Sequence, residues 1–184
     1  MEYRYATEVD APAMAELFAA NHHDALSERQ RAEQGFVQGG FDVGALRAMA
    51  GARELLVADD GGGRIAGLLA LSVPTALADP PPPVAGLLRA QGALDWQGRP
   101  LAEVRWLLYG PVVVAAAYRG RGVARALFTM AAAAAAERAE AVVAFIEAGN
   151  APSWKVHVDA FGMVPLGDYV VGGRTYTAVA APTL

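Results

Sequence analysis

The segment of the chain best suited to chemistry is a glycine-rich run in its second half, from Tyr118 to Ala124. Gly120 and Gly122 allow the backbone to bend and to approach a ligand without a Cβ in the way. An alanine-rich helical pattern follows, so the run ends at a helix N-terminus, where the first N–H groups have no partners within the helix. Backbone N–H groups arranged in this way bind phosphate. The pattern therefore predicts a cradle for a diphosphate.

Three arginines, Arg119, Arg121 and Arg125, are expected to add positive charge around the rim of this cradle. The helix dipole contributes about 0.3–1 kcal/mol to holding an anion, whereas each hydrogen bond to a charged oxygen contributes about 1.5–3 kcal/mol. Several backbone donors together therefore outweigh the dipole. A tight turn without a ligand is the alternative interpretation of the same residues.

Two other nucleotide-binding motifs do not fit the run. A Walker loop needs a lysine before its Ser or Thr, and the one lysine of the chain is the distant Lys155. A dinucleotide fingerprint needs a third glycine, and Arg125 stands at that position. Both alternatives are therefore excluded.

The run from Arg119 to Ala124 matches the Arg/Gln-x-x-Gly-x-Gly/Ala loop of the GCN5-related N-acetyltransferases, the GNAT family. Residues 114–118 stand where this family usually has Val-x-Pro-x-Tyr, with alanine in place of the proline. Downstream, Asn150, Ser153 and His157 resemble the Asn-x-x-Ser-x-x-x-His run of the family. The resemblance implies an α/β fold with a mixed, mostly antiparallel sheet flanked by helices, and acetyl-CoA as cosubstrate without a metal.

The resemblance also implies where acetyl-CoA binds. The pyrophosphate would contact backbone N–H groups of the loop, and the pantetheine arm would pair with the central strand before it, near Asn150 and Ser153. A strand bulge would direct the N–H of Val112 or Val113 at the thioester oxygen, as acyl transfer requires. The cofactor-binding residues implied are Val112, Val113, Val114, Arg119, Gly120, Arg121, Gly122, Val123, Ala124, Asn150 and Ser153.

An amine acceptor must lose a proton before it attacks a thioester, because an amine with a pKa near 10.4 is neutral in only about one molecule in 10³ at pH 7. Glu147 and Glu103 are candidate bases, although each is also typical of a solvated carboxylate. His157 is a candidate proton donor to the thiolate or, alternatively, a packed structural residue. Many GNAT members have a tyrosine where this chain has Val158. The catalytic residues predicted are therefore Glu147 and His157.

The resemblance predicts direct transfer to an amine in a ternary complex, since a chain without cysteine cannot form an acetyl-cysteine intermediate. A domain that binds acyl-CoA without turnover and an acyltransferase for longer acyl groups are the alternatives. The acceptor, a small molecule or a peptide or protein amine, stays open. Residues 24–50 and 74–100, including Trp96, are expected to form its site. His22, His23 and Asp24 are residues of types that bind metal ions. Adjacent residues at the end of a helix are, however, usually exposed to solvent.

Composition narrows the class of protein further. The chain has 184 residues, 54% hydrophobic and 18% charged, which predicts one domain over residues 1–184. Its net charge of -4 disfavours nucleic acid and anionic membranes as partners. The apolar stretch 126–136 is shorter than the roughly 20 residues of a membrane span. Without a secretion-signal pattern at the N-terminus, a cytoplasmic location is the expectation, and a homodimer is possible through the closing hairpin.

Hydrophobic periodicity and turn residues predict the elements that must position these groups. Asp10 is expected to cap the first helix. The glycines at positions 35, 39, 40 and 44 are expected to break the helical segment 24–50. The proline run 79–83 is expected to stay extended. The predicted strands are 3–7, 54–58, 64–73, 104–115, 141–147, 164–171 and 174–180. The predicted helices are 10–20, 84–90, 123–138 and 150–162.

Overall fold

The computed structural model describes residues 1–37, 40–77 and 79–184. Gly39, expected as a helix break, lies outside the described residues. The described chain forms two compact units, one of Met1–Leu71 with Tyr109–Ala131 and one of Ser72–Leu108 with Ala132–Leu184. The expectation of a single domain stays a prediction.

The elements confirm the α/β class. The strands are β1 Glu2–Tyr5, β2 Leu55–Asp59, β3 Ile65–Ser72, β4 Asp95–Trp96, β5 Arg99–Pro100, β6 Trp106–Val114, β7 Ala141–Glu147, β8 Val164–Val171 and β9 Arg174–Pro182. The helices are α1 Ala11–Ala20, α2 Glu28–Gln34, α3 Val43–Gly51, α4 Pro82–Ala90, α5 Val123–Ala135 and α6 Ala151–Trp154, the last continuing as a π-helix over Lys155–Ala160. Within the described ranges, no helix combines the length and apolarity that a membrane crossing requires.

The first unit is a sheet with helices packed on it, in which β2 pairs antiparallel with both β1 and β3. Its strand order is β1-β2-β3-β6, and every residue of β3 is buried. A continuous buried run of this kind is typical of a strand covered on both faces. Met14 and Phe18 of α1 and Leu46 of α3 share one core with Leu55 and Leu68 of the sheet.

The second unit continues from the start of β6 in the order β6-β7-β9-β8. Strands β6 and β7 are parallel over residues 106–108 and 141–143, whereas β9 pairs antiparallel with both β7 and β8. The strand pairings confirm the mixed, mostly antiparallel sheet that the sequence predicts. Trp96 is 4% exposed and lies in the core of this unit with Leu101 and Leu108. Its position favours a packing role over the expected role in acceptor binding.

Two local predictions need correction. Helix α4 begins at Pro82, inside the proline run that was expected to stay extended, because the N–H groups of a first helical turn have no acceptors and proline fits there. Gly44, expected as a break, lies in the first turn of α3, where glycine is tolerated. Gly35, also expected as a break, does end α2, where it adopts a φ of +72°.

Asp10 precedes α1 as expected, but its side chain does not cap the helix. Its carboxylate oxygens accept hydrogen bonds from Arg4 Nη1 at 2.8 Å and Arg4 Nη2 at 2.9 Å, and one also accepts from the Thr7 N–H at 2.7 Å. Arg4 Nη2 also donates to Asp59 Oδ2 at 2.9 Å. A charged donor outcompetes a helix N–H for a carboxylate. Chiefly because of Arg4, the pKa of Asp10 is lowered to about 2.

Candidate functional site

The glycine-rich loop lies at the end of β6 in the first unit. A short 3-10 turn, Ala116–Tyr118, leads from the strand into the loop, and α5 begins at Val123. Gly120 and Gly122 have φ angles of +71° and +79°, which favour glycine, and both are exposed. A Cβ at either position would meet no atom within 4 Å. The space beside the two glycines is therefore open, and binding of a diphosphate there stays a prediction.

Tyr118 fixes one side of the loop. Its hydroxyl donates a hydrogen bond of 2.7 Å to Asp60 Oδ2, in the turn between β2 and β3. This bond raises the pKa of Tyr118 and lowers the pKa of Asp60. The turn that the sequence identifies only as a hairpin therefore also anchors the entrance to the loop.

Arg119 fixes the other side and does not lie at the rim as expected. Its Nε donates to the Val114 carbonyl at 3.1 Å, its Nη2 to Asn21 Oδ1 at 2.5 Å and its Nη1 to Gln34 Oε1. Asn21 follows α1, is buried and donates its own Nδ2 to the Leu17 carbonyl at 2.8 Å, which directs its Oδ1 at Arg119. The guanidinium therefore joins β6 to the ends of α1 and α2.

The acceptors around Arg119 carry no charge. All three are neutral oxygens, and among the described residues no carboxylate forms an ion pair with this guanidinium. Partial burial lowers the pKa of Arg119, the direction expected of a cation moved out of water. The loop thus begins at a partly desolvated positive charge with no negative partner in the described chain.

Gly67 on β3 lets the neighbouring elements approach closely. A Cβ at this position would lie 3.0 Å from Val123 Cγ1 in the first turn of α5 and 3.1 Å from the Val113 carbonyl oxygen of β6. The absence of a side chain therefore sets where the last part of β6 and the start of α5 pack. Val113 itself is 2% exposed, and Val112 and Val114 are half-buried.

The second unit holds the downstream motif on one helix. Asn150 is buried and caps α6, its Oδ1 accepting from the Ser153 N–H at 3.3 Å. The His157 Nδ1 lies 2.8 Å from the Ser153 carbonyl oxygen and 3.2 Å from Ser153 Oγ. Because a carbonyl only accepts, Nδ1 carries the proton of the neutral ring and Nε2 is left without one. Burial lowers the pKa of His157, which favours this neutral form and works against the expected role as an acid.

The candidate bases have different surroundings. Glu147 ends β7, its side chain is 18% exposed, and its Oε1 lies 3.2 Å from Arg174 Nη1. Glu103 is exposed in a 3-10 turn before β6. Tyr109 is 2% exposed and packs edge-on against Phe128, with a pKa raised by burial. Tyr109 is therefore a core residue, and the catalytic role of Glu147 stays a prediction.

The histidine pair near the end of α1 has a carboxylate beside it. His23 Nδ1 lies 3.0 Å from Asp24 Oδ1, and Asp24 is largely exposed. In the parts of the chain that the structure describes, no group of three or more histidine, aspartate and glutamate side chains is placed to hold a metal ion.

Comparison with known proteins identifies the relatives of this chain. The sequence profile of the Acetyltransferase (GNAT) family matches residues 13–163. A ribosomal-protein-alanine N-acetyltransferase from Brucella melitensis is 20% identical, with 99% of each chain covered and a TM-score of 0.63. The yncA protein of Salmonella typhimurium, solved with its cofactor acetyl-CoA, is 19% identical over 100% of this chain and 94% of its own, with a TM-score of 0.64. At these identities the solved structures show the shared fold. A search among proteins of curated function found no match.

Proposed function

Since this chain belongs to the GNAT family of acetyltransferases, we propose that it is an N-acetyltransferase that moves an acetyl group from acetyl-CoA to an amine. The amine is carried by a small molecule or by a peptide or protein. Transfer is direct, in a ternary complex, because the chain has no cysteine to carry the acetyl group.

The observation that carries this proposal is the charge of Arg119. A cation that is partly removed from water is stabilised by a nearby anion, and the described chain supplies Arg119 only with neutral oxygens. The adjoining loop offers exposed glycines and a helix N-terminus, which suit a diphosphate. The residues present therefore fit the pyrophosphate of acetyl-CoA.

The loop and the end of β6 have separate proposed roles in binding acetyl-CoA. Backbone N–H groups of residues 119–124 bind the pyrophosphate, and the backbone of Val112–Val114 pairs with the pantetheine arm. The N–H of Val112 or Val113 stabilises the negative charge that develops on the carbonyl oxygen. Asp60, through Tyr118, positions the entrance to the loop.

Acetyl-CoA supplies the acetyl group as a thioester. The amine nitrogen forms a bond to the carbonyl carbon, the carbon–sulfur bond breaks, and its electron pair leaves on the CoA sulfur. The surplus proton of the amine passes to a base, for which Glu147 is the proposed residue. A thiol with a pKa near 8.5 leaves readily as thiolate, so a proton donor such as His157 is of less importance. Contact of Asn150 and Ser153 with the pantetheine remains a proposal.

Ligand-dependent unfolding tests the cofactor. Acetyl-CoA and CoA at a hundred times their Kd should stabilise the protein by about 2.7 kcal/mol, whereas NAD and ATP should have little effect. Arg119→Gln should weaken acetyl-CoA binding about tenfold, because a charged partner of the diphosphate is lost. Arg47→Gln, an exposed arginine on α3, is the control of equal charge change and should bind as the wild type does. The proposal would be refuted if neither acetyl-CoA nor CoA stabilised the protein.

Turnover tests the reaction. CoA release from acetyl-CoA is measured against a panel of small amines, amino acids and peptides, with Gly122→Glu as the inactive control. A Glu side chain at this position places a carboxylate in the cradle and forces a residue other than glycine to adopt a positive φ. Amine-dependent release above this control supports the transferase. Binding without any release would instead support a domain that binds acyl-CoA without turnover.

A further inference from the structure

The second unit contains a cavity that is lined by none of the residues proposed to bind acetyl-CoA or to take the proton of the amine. Its volume is about 400 Å³, within the range of small-molecule sites. The cavity is formed by the segment after β3, the residue that follows α4, the start of β6 and the turn after α5. Its polar lining residues are Thr75, Gln91, Arg105 and Arg138, and its apolar lining includes Val104 and Trp106.

The charges that line the cavity have one sign. Arg105 and Arg138 are the lining residues that carry charge, and no carboxylate is among the residues that line the cavity. Arg105 Nε lies 3.8 Å from Glu140 Oε1, but the other oxygen of Glu140 is already bound at 2.7 Å by Arg99. For Arg138, no ion pair is found within residues 1–37, 40–77 and 79–184. In a chain of net charge -4, the cavity is thus a local positive site.

The remaining walls define the rest of the ligand. Thr75 and Gln91 offer a hydroxyl and a side-chain amide, and Trp106 is half-buried with an indole ring at the cavity. Guanidinium groups bind a planar carboxylate with two parallel hydrogen bonds, and an aromatic wall favours a flat apolar group. We propose that this cavity binds a small organic acid, an aromatic or branched aliphatic carboxylate, as a site separate from acetyl transfer.

Binding of matched probes in the absence of acetyl-CoA tests this site, so its outcome does not depend on the proposed function. The probes are phenylacetate, its uncharged isostere phenylacetamide, and inorganic phosphate, with affinities measured by calorimetry. We expect phenylacetate to bind about fivefold or more tightly than phenylacetamide and to weaken with added salt. Phosphate should bind weakly because it lacks the apolar group. Equal affinity for the acid and the amide, or no binding of either at millimolar concentration, would overturn the proposal.

Variants locate the binding. Arg138→Gln should weaken phenylacetate binding about fivefold, whereas Arg47→Gln, with the same charge change in the first unit, should not. Ala102→Leu adds a larger side chain at an exposed position of the cavity lining without changing the charge. Because this side chain fills part of the cavity, the variant should abolish phenylacetate binding. The indole N–H resonance of Trp106, assigned with Trp106→Phe, should shift on titration with phenylacetate. Wild-type affinity in both Arg138→Gln and Ala102→Leu would place the ligand elsewhere and overturn the proposal.

Discussion

Two partly buried charged residues of the first unit have different kinds of partner, one charged and one neutral. Asp10 is paired with Arg4, which also binds Asp59, so each of these charges has a partner of opposite sign within the protein. Arg119 is also held by side-chain hydrogen bonds, but its partners Asn21 and Gln34 are neutral amides. The first arrangement serves stability, because both charges are satisfied when the chain folds. The second fixes the Arg119 side chain without neutralising its charge, as the proposed diphosphate site requires.

The Asp10 pair predicts an acid-dependent stability. The pKa of Asp10 in the folded protein, about 2, lies below the usual value near 3.9. The contribution of the ionised carboxylate to the free energy of unfolding is therefore complete above pH 4 and is lost as the pH falls towards 2. Asp10→Asn should therefore lower the free energy of unfolding by about 1–2 kcal/mol at pH 7 and by much less at pH 2.5. Urea unfolding at both pH values measures the difference. Glu16→Gln, on the exposed side of α1, is the control; a deficit in Asp10→Asn that does not change with pH would contradict the argument.

The neutral surroundings of Arg119 predict the effect of adding a carboxylate. Gln34→Glu keeps the size and shape of the side chain, so the contact with Arg119 and the loop geometry should persist. The new charge competes with the diphosphate, and we expect acetyl-CoA to bind about three- to tenfold more weakly with unchanged or higher thermal stability. Calorimetric titration measures this. Gln97→Glu, in the exposed β4–β5 turn, adds the same charge; an equal loss in both variants would mean that net charge alone is responsible.

At the scale of elements, patterns within a segment were predictable and contacts between distant segments were not. The β2–β3 and β8–β9 hairpins, strand β7 and the glycines of the loop follow from turn residues and apolar runs. The sequence gives no local sign that Tyr118 binds Asp60 or that Arg119 reaches Asn21, since these partners are 58 and 98 residues apart. The predicted start of α4 is wrong because proline, a helix breaker inside a helix, fits the first helical turn, where its missing N–H costs no hydrogen bond.

Helix α4 gives a prediction in which packing opposes helix propensity. Alanine normally stabilises a helix relative to glycine by up to about 1 kcal/mol. At Gly86, however, a Cβ would lie 2.2 Å from Val171 Cγ2 and 3.0 Å from the ring of Tyr169, so helix and strand would have to move apart. We expect Gly86→Ala to lower the free energy of unfolding by about 1–3 kcal/mol.

Gly51→Ala, in α3, provides the matched comparison. Its Cβ would lie 3.6 Å from Glu8 Oε1, which is an ordinary van der Waals distance. Thermal and urea unfolding should show Gly51→Ala to be neutral or stabilised. A Gly86→Ala protein as stable as Gly51→Ala would show that β8 yields to the added methyl group without cost.

At the scale of the whole molecule, each unit has its own hydrophobic core, and the charge of the chain is acidic overall. The first core combines Met14, Phe18 and Leu46 with the sheet, and the second combines Leu87, Trp96 and Leu108. The net charge of -4 sets a long-range field that attracts cations. A cationic acceptor amine therefore gains an advantage during approach, before any specific contact is made.

This field predicts a salt dependence of the proposed reaction. For a diamine acceptor, kcat/KM should fall about two- to fivefold as ionic strength rises from about 20 to about 300 mM, because salt screens the attraction. An amino acid acceptor, with no net charge, should be much less affected. Steady-state rates at saturating acetyl-CoA measure both. A fall of the same size for the two acceptors would locate the salt effect in a step after the approach of the acceptor and contradict the argument.

The exposed Lys155, which begins the π-helix after α6, is the one lysine in a chain whose other 14 basic residues are arginines. Guanidinium groups are always protonated in proteins and do not act as acetyl acceptors under these conditions. If the protein modifies itself, a single side-chain amine is available for it. Intact mass spectrometry after incubation with acetyl-CoA, repeated on Lys155→Arg, can therefore separate acetylation of this side chain from acetylation of the α-amine without digestion. An amine-reactive fluorophore would, for the same reason, label the side chains of this protein at one known position.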